Sequence, residues 1–113
     1  MKYSLNGSWE LFAVSPDEPE ITTPDALDSR SSIVGQVPGN IELDLYAAGW
    51  IKDPYIGEQA KALRPFEFYD FWYRKRFRTP ADFTGSIMLD LQGVDCFADV
   101  YLNRKKVGVL RNA

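Results

Sequence analysis

Short segments in which hydrophobic and polar residues alternate dominate this chain, and such alternation is typical of strands that bury one face. The predicted strands are residues 3–12, 33–37, 71–78, 87–92, 98–102 and 107–110. Asn103 and Arg104 stand between the last two strands and predict a hairpin turn. Residues 15–32 hold three prolines and five acids, which predicts a solvated surface loop. Short strands at this spacing indicate an antiparallel β-sandwich or barrel.

The alternation predicts which side chains of a strand share a face, and in residues 87–92 the inward side chains are Ile87, Leu89 and Leu91. In residues 71–78, the side chains that point one way are Phe71, Tyr73 and Phe77. Trp72 and the arginines of that strand point the other way. In residues 98–102, the inward side chains are Ala98, Val100 and Leu102.

Residues 41–48 predict the one helix of the chain. Asn40 is placed as its N-cap, and Gly49 is placed as the glycine just past its end. Glu42 and Asp44 lie in the first turns, where the helix dipole favours anions. The residues that share its apolar face are Ile41, Leu45 and Ala48. A helix this short needs tertiary support.

The composition is that of one ordinary globular domain. The chain has 113 residues, of which 45% are hydrophobic and 26% are charged. Its net charge of -3 argues against a protein built to grip nucleic acid. No apolar run is long enough to span a membrane. The first residues contain no signal-peptide-like stretch, which leaves two alternatives, a cytoplasmic protein or one whose leader has been removed.

Residue counts exclude several kinds of active site. The chain has no histidine and one cysteine, Cys96. It therefore cannot build a Ser-His-Asp or Cys-His apparatus, a histidine-ligated metal site, a cysteine-rich zinc site or an internal disulfide. The 16 acidic residues allow a pair of catalytic carboxylates, but their spacing along the chain selects none. No glycine-rich phosphate loop occurs, and we expect no cofactor and no metal ion.

The cationic strand allows a rival interpretation. Basic residues lie among its aromatic residues, which is the combination that a single-strand nucleic-acid binder uses. Those basic residues are Arg74, Lys75, Arg76 and Arg78. The favoured alternative is a strand face whose arginines pair with acids on a neighbouring strand or domain. In the same way, Trp9, Trp50 and Trp72 fit a sugar-stacking platform, whereas tryptophan in a small β-domain more often belongs to a core or an interface.

Several longer motifs follow one another along the chain. They are Leu-Asn-Gly-Ser-Trp-Glu-Leu at 5–11, Val-Pro-Gly-Asn at 37–40, Asp-Leu-Tyr-Ala-Ala-Gly at 44–49, Asp-Pro-Tyr at 53–55, Phe-Trp-Tyr-Arg-Lys-Arg-Phe at 71–77, Leu-Gln-Gly-Val-Asp at 91–95 and Ala-Asp-Val-Tyr-Leu-Asn at 98–103. In order and spacing they resemble the N-terminal region of glycoside hydrolase family 2 enzymes, which include β-galactosidases, β-glucuronidases and β-mannosidases. The resemblance is closest to the β-mannosidase/β-galactosidase-like branch.

The resemblance implies an all-β fold, a galactose-binding-domain-like jelly-roll β-sandwich with one short helix. Residues 1–113 would form the N-terminal domain of a larger multidomain glycosidase, which would be exo-acting and retaining. This domain would buttress a catalytic barrel and shape the entrance of its pocket. In the family an immunoglobulin-like domain and a TIM barrel follow, and the barrel binds the β-linked glycoside.

The resemblance also implies where catalysis takes place. In the family the barrel carries both catalytic glutamates, one of them in an Asn-Glu pair, and this chain contains no Asn-Glu pair. We therefore expect no catalytic residue in this segment. Glu67, Tyr69 and Asp70 occupy the place that approaches the mouth of the barrel in the family, and Asp70 is the candidate to hydrogen-bond a sugar hydroxyl. The alternative is that Asp70 caps a loop or pairs with Arg74.

The last hairpin departs from the family pattern. The family turn often reads Asn-Gly, whereas Arg104 follows Asn103 here. A two-residue turn of this type needs positive φ at both positions, which suits glycine and strains arginine. The turn is therefore either longer, through Lys105, or strained. Because the pattern stops after this hairpin with no closing strand, we expect a C-terminally truncated sandwich that self-associates through an open sheet edge.

Two other functions fit the same sequence. The first is an independent carbohydrate-binding module, since a sandwich fold by itself does not fix function. The second is the single-strand nucleic-acid binder already described, which the net charge of -3 disfavours.

Overall fold

The computed structural model describes residues 3–51, 68–78 and 97–111. Its elements are β1 (Gly7–Val14), a 3₁₀ helix (Pro24–Ser29), β2 (Ile33–Val37), α1 (Ile41–Ala47), β3 (Asp70–Arg74), β4 (Phe97–Leu102) and β5 (Lys105–Arg111). The strand predicted at 87–92 lies outside the described residues. Within the described part, no helix is long and apolar enough to cross a membrane.

The strands form two antiparallel sheets. One has the order β2-β1-β3, and the other is the hairpin of β4 and β5. In the first sheet Leu11 of β1 lies opposite Ile33 of β2 and Tyr73 of β3. The predicted all-β class is confirmed, and the described residues contain one short α-helix.

Both faces of the three-stranded sheet are covered. Leu11 and Phe12 are neighbours on β1 and point to opposite faces, yet both are buried. Helix α1 lies on the Leu11 side, where the hydroxyl of Tyr73 reaches it. The 3₁₀ helix and the β4–β5 hairpin contact the Phe12 side through Arg74 and Trp72. The central strand β1 therefore forms the middle of the core.

Local hydrogen bonds define both ends of α1. The Asn40 side chain accepts a hydrogen bond of 2.9 Å from the backbone N–H of Leu43, which confirms the predicted N-cap. Gly49 has a φ of 78°, and its N–H donates to the carbonyl of Tyr46. The N–H of Trp50 donates to the carbonyl of Leu45. This pair of bonds is a Schellman motif, which requires the left-handed residue that the sequence supplies as glycine.

Some strand boundaries differ from the prediction. β1 begins at Gly7, where φ is 127°, and continues to Val14 instead of ending at Phe12. β3 ends at Arg74, and the ammonium of the next residue, Lys75, donates to the carbonyl of Ser8 at 3.1 Å. The predicted loop at 15–32 contains the 3₁₀ helix. A proline at its first turn was the available signal.

The predicted inner face of β4 is only partly correct. Ala98 and Val100 are half-buried, but Leu102 beside the turn is 41% exposed. Tyr101, from the opposite face of the strand, makes the contact with Trp72 at 5.4 Å between ring centroids. The hairpin therefore also uses the face that the alternation had assigned to solvent.

The hairpin turn contains two residues. Leu102 lies opposite Lys105, and φ is 49° at Asn103 and 67° at Arg104. Of the two predicted alternatives, the strained turn is the observed one, and Lys105 belongs to β5.

Candidate functional site

The candidate residues Tyr69 and Asp70 lie together where β3 begins. Asp70 is the first residue of β3, is exposed, and lies opposite Val14 at the end of β1. The half-buried ring of Tyr69 stacks against Phe71 with 6.3 Å between ring centroids. Phe68 precedes them and is 76% exposed. Glu67, the third candidate, lies outside the described residues.

The alternative role of Asp70 as a partner of Arg74 is not observed. The Arg74 guanidinium binds both carboxylate oxygens of Glu10, through Nε at 3.1 Å and Nη2 at 2.9 Å. Its Nη1 donates to Asp28 at 2.8 Å. Within the described residues, Asp70 takes part in no ion pair. The exposed Asp70 carboxylate is therefore not bound by Arg74.

A charged network lies on the Phe12 side of the three-stranded sheet. The network joins β1, β3, the 3₁₀ helix and the hairpin turn. Its acids are Glu10, Asp25 and Asp28, and its arginines are Arg74, Arg76 and Arg104. The Arg74 guanidinium also lies over the ring of Phe12, 4.9 Å from its centroid. These contacts confirm the prediction that arginines of this strand pair with acids of neighbouring elements.

The network lowers the pKa of two of its acids. Hydrogen bonding from Arg74 is the main cause of the lowered pKa of Glu10. For Asp28, the main cause of the lowered pKa is its hydrogen bond from Arg104. Glu18, outside the network, has a lowered pKa because Arg30 donates to it at 2.6 Å. Each of these carboxylates is therefore held in its charged form by a guanidinium.

A buried carboxylate lies on the other face of the sheet. Asp44 of α1 is only 3% exposed, and its two oxygens accept from the N–H of Gln36 at 3.0 Å and from the hydroxyl of Tyr73 at 3.1 Å. Burial is the main cause of the strongly raised pKa of Tyr73, and the charge of Asp44 adds to it. Gly35 leaves room for the Tyr73 ring, since a Cβ at that position would lie 2.7 Å from Cε1.

The sequence places Asp44 in the first turns of the helix, where the dipole favours anions. A signal of its burial was present, because Asp44 lies three residues after Ile41 and next to Leu45, on the predicted apolar face. The structure makes it a structural carboxylate with both oxygens hydrogen-bonded.

The tryptophans do not form one platform. Trp9 lies opposite Gly35 on the Leu11 face, while Trp72 lies opposite Phe12 on the other face. Trp9 is half-buried and donates from Nε1 to the carbonyl of Leu5 at 2.6 Å. Trp9 and Trp72 are therefore too differently placed to stack on one sugar.

Five of the described acids are engaged in ion pairs or hydrogen bonds within the fold. Glu10, Glu18, Asp25 and Asp28 are ion-paired, and Asp44 is bonded on both oxygens. Across 3–51, 68–78 and 97–111, no three His, Cys, Asp or Glu residues are grouped so as to hold a metal ion. At the start of β3, Phe68, Tyr69 and Asp70 form a surface edge that can contact a ligand.

Comparison with known proteins identifies relatives over most of the chain. The family model described as glycosyl hydrolase 2 galactose-binding domain-like matches residues 19–113. A probable β-mannosidase of Caenorhabditis elegans is 40% identical over 79 residues, which are 69% of this chain and 9% of that protein. A β-mannosidase B of Thermothelomyces thermophilus is 34% identical over 85 residues, which are 74% of this chain and 10% of that protein.

A third relative gives the same picture. A β-mannosidase B of Aspergillus terreus is 38% identical over 71 residues, which are 62% of this chain and 8% of that protein. The matched region thus spans 8 to 10% of the length of these relatives. No solved structure gives a significant match.

Proposed function

The chain belongs to the glycosyl hydrolase 2 galactose-binding domain-like family, and on that premise we propose that it is the non-catalytic N-terminal domain of an exo-acting retaining β-glycosidase. The proposed substrate is a β-mannoside, because the relatives are described as β-mannosidases. The family match over residues 19–113 is the observation that carries this proposal.

The proposed reaction is a double displacement on residues outside this chain. One glutamate attacks the anomeric carbon while a second protonates the departing oxygen, and water then cleaves the glycosyl-enzyme bond. Within this chain Glu10, Asp28 and Asp44 are engaged in structural contacts, which supports a structural role for these acids. We propose that an immunoglobulin-like domain and a TIM barrel complete the enzyme, and that this domain buttresses the barrel.

The start of β3 is the proposed contact with the sugar pocket. Asp70 is exposed and is not neutralised by Arg74, so its oxygens are available to accept a hydrogen bond from a sugar hydroxyl. Tyr69 is fixed beside it by its stacking on Phe71. Glu67 is proposed as a third member of this edge.

Kinetics of the complete enzyme test this edge. Asp70→Ala should lower kcat/KM by about tenfold, which is the effect of losing one hydrogen bond to a charged group. Glu20→Ala is the matched control, because Glu20 is an exposed acid of the 15–32 loop. Unchanged kcat and KM in Asp70→Ala would remove Asp70 from the pocket.

A substrate panel tests the proposed activity. The complete protein should hydrolyse an aryl β-mannoside faster than the matching β-galactoside and β-glucuronide, with retention of anomeric configuration. Preference for another sugar would correct the substrate alone, whereas no hydrolysis of any β-glycoside would contradict the enzyme assignment.

A carbohydrate-binding module is the second candidate function, and the galactose-binding-like description of the family favours it. Calorimetric titration of the 113-residue chain with mannose, galactose and their β-linked oligosaccharides tests it. Saturable binding by the chain alone would support this second function.

A further inference from the structure

The turn of the β4–β5 hairpin contains an arginine where glycine fits best. Asn103 and Arg104 have φ values of 49° and 67°. Asparagine tolerates this left-handed conformation, but arginine adopts it at a cost in free energy, and two-residue turns of this kind favour Asn-Gly. A compensating role for the Arg104 side chain would explain its presence.

The Arg104 side chain makes that compensating contact. Its Nη1 binds the carboxylate of Asp25 and also lies 3.0 Å from Oδ2 of Asp28. Both acids belong to the 3₁₀ helix, 76 to 79 residues earlier in the chain. A glycine at the same place would relax the backbone but could not reach the 3₁₀ helix.

Asp28 connects this contact to the three-stranded sheet. Its Oδ1 accepts from Nη1 of Arg74 on β3 at 2.8 Å, while its other oxygen faces Arg104. Arg76 lies 3.8 Å away from the same carboxylate. One carboxylate thus joins the tip of the hairpin to β3.

The hairpin has a second attachment of a different kind. The ring of Tyr101 packs on Trp72, and its hydroxyl donates to the carbonyl of Thr22 at 3.3 Å. This contact holds the body of the hairpin, whereas Arg104 holds its tip. The tip contact is exposed, with side-chain exposures of 52% for Arg104 and 68% for Asp25. Salt should therefore screen it strongly.

We propose that Arg104, Asp25 and Asp28 form an electrostatic latch, which fixes the tip of the β4–β5 hairpin on the 3₁₀ helix and opens when salt screens it. The strained turn is the consequence of placing a guanidinium at the tip. When the latch opens, the hairpin keeps its own strand pairing and loosens its contact with Trp72.

Two measurements on the 113-residue chain report whether the hairpin is docked on the three-stranded sheet. The first is the nuclear Overhauser effect between the rings of Tyr101 and Trp72, and the second is the rate of amide hydrogen exchange in β4 and β5. In low salt, Arg104→Gly should speed amide exchange in the hairpin by roughly threefold to tenfold and weaken the ring contact. In about 1 M sodium chloride, the wild-type chain should approach the variant. Asn103→Gly is the matched control, since it relaxes the same turn and keeps the arginine.

A double-mutant cycle separates the latch from the turn backbone. Asp25→Asn should loosen the hairpin when Arg104 is present and should have no effect in the Arg104→Gly background. Equal effects of Asp25→Asn in both backgrounds, or slower exchange in Arg104→Gly than in the wild-type chain, would overturn the proposal.

Discussion

The hydroxyl of Tyr73 donates a hydrogen bond of 3.1 Å to the buried carboxylate of Asp44, whose second oxygen accepts from the N–H of Gln36. Gln36 lies on β2 and Tyr73 on β3, the two strands that flank β1 in the sheet. One carboxylate therefore ties α1 to both neighbours of β1.

Removing the Asp44 carboxylate should lower the free energy of unfolding more than removing the Tyr73 hydroxyl. Tyr73→Phe leaves one oxygen of Asp44 without its donor, and we expect it to lower the free energy of unfolding by about 1 to 2 kcal/mol. Asp44→Ala leaves both donors unbonded and should cost about 3 kcal/mol. Urea unfolding of the chain gives both values. Equal stability of Asp44→Ala and the wild-type chain would contradict the structural role of the carboxylate.

Gly35 should be intolerant of a side chain for the same reason. A Cβ there would lie 2.7 Å from Cε1 of Tyr73, so the ring must move away from Asp44. Gly35→Ala should lower the free energy of unfolding by about 1 to 3 kcal/mol. Gly108→Ala is the matched control, because nothing lies within 4 Å of its added Cβ. Thermal and urea unfolding compare the stability of the two variants. Equal losses of stability would show that the close approach of Tyr73 is not what makes Gly35 intolerant of a side chain.

The N-cap of α1 makes a separate prediction. Asn40→Ala removes the acceptor of the Leu43 N–H and should destabilise the chain by about 1 kcal/mol. Asn40→Asp keeps an acceptor of the same length and should retain most of the stability. If alanine and aspartate at this position gave the same unfolding midpoint, the cap would have no energetic role.

Acid should weaken the fold through the paired carboxylates. The pKa values of Glu10 and Asp28 are lowered in the folded chain from ordinary values of 4.5 and 3.8, so the unfolded chain takes up protons first. The stabilisation is therefore fully present above about pH 5 and is lost progressively as the pH falls toward about 3. Urea unfolding at a series of pH values should show this decline.

A variant carrying Glu10→Gln and Asp28→Asn provides the control for the acid prediction. It should be less stable at neutral pH and should show a shallower decline in acid. A decline of the same steepness as in the wild-type chain would assign the acid sensitivity to other groups.

The elements that the sequence predicted well are those with local causes. The ends of α1 follow from Asn40 and Gly49, which act on hydrogen bonds within four residues of themselves. The hairpin turn was placed correctly for the same reason. The end of β3 was not, since the predicted strand continued to Arg78 whereas the observed one ends at Arg74.

The partners within the charged network could be identified only from the tertiary fold. The alternation placed Arg74 on a charged face, but it could not identify Asp28 as a partner 46 residues earlier. The contact of Arg104 with the 3₁₀ helix spans a still longer stretch of sequence. The resemblance located Tyr69 and Asp70, and the structure places them at one edge of the sheet, while their part in sugar binding stays a prediction.

The non-catalytic role of this domain can be tested by measuring hydrolysis of an aryl β-mannoside by the purified 113-residue chain and by the complete protein side by side. We expect steady hydrolysis by the complete protein and, for the chain, a rate that equals that of a mock purification. Hydrolysis by the chain alone, abolished by a substitution within it, would contradict the assignment of a non-catalytic N-terminal domain.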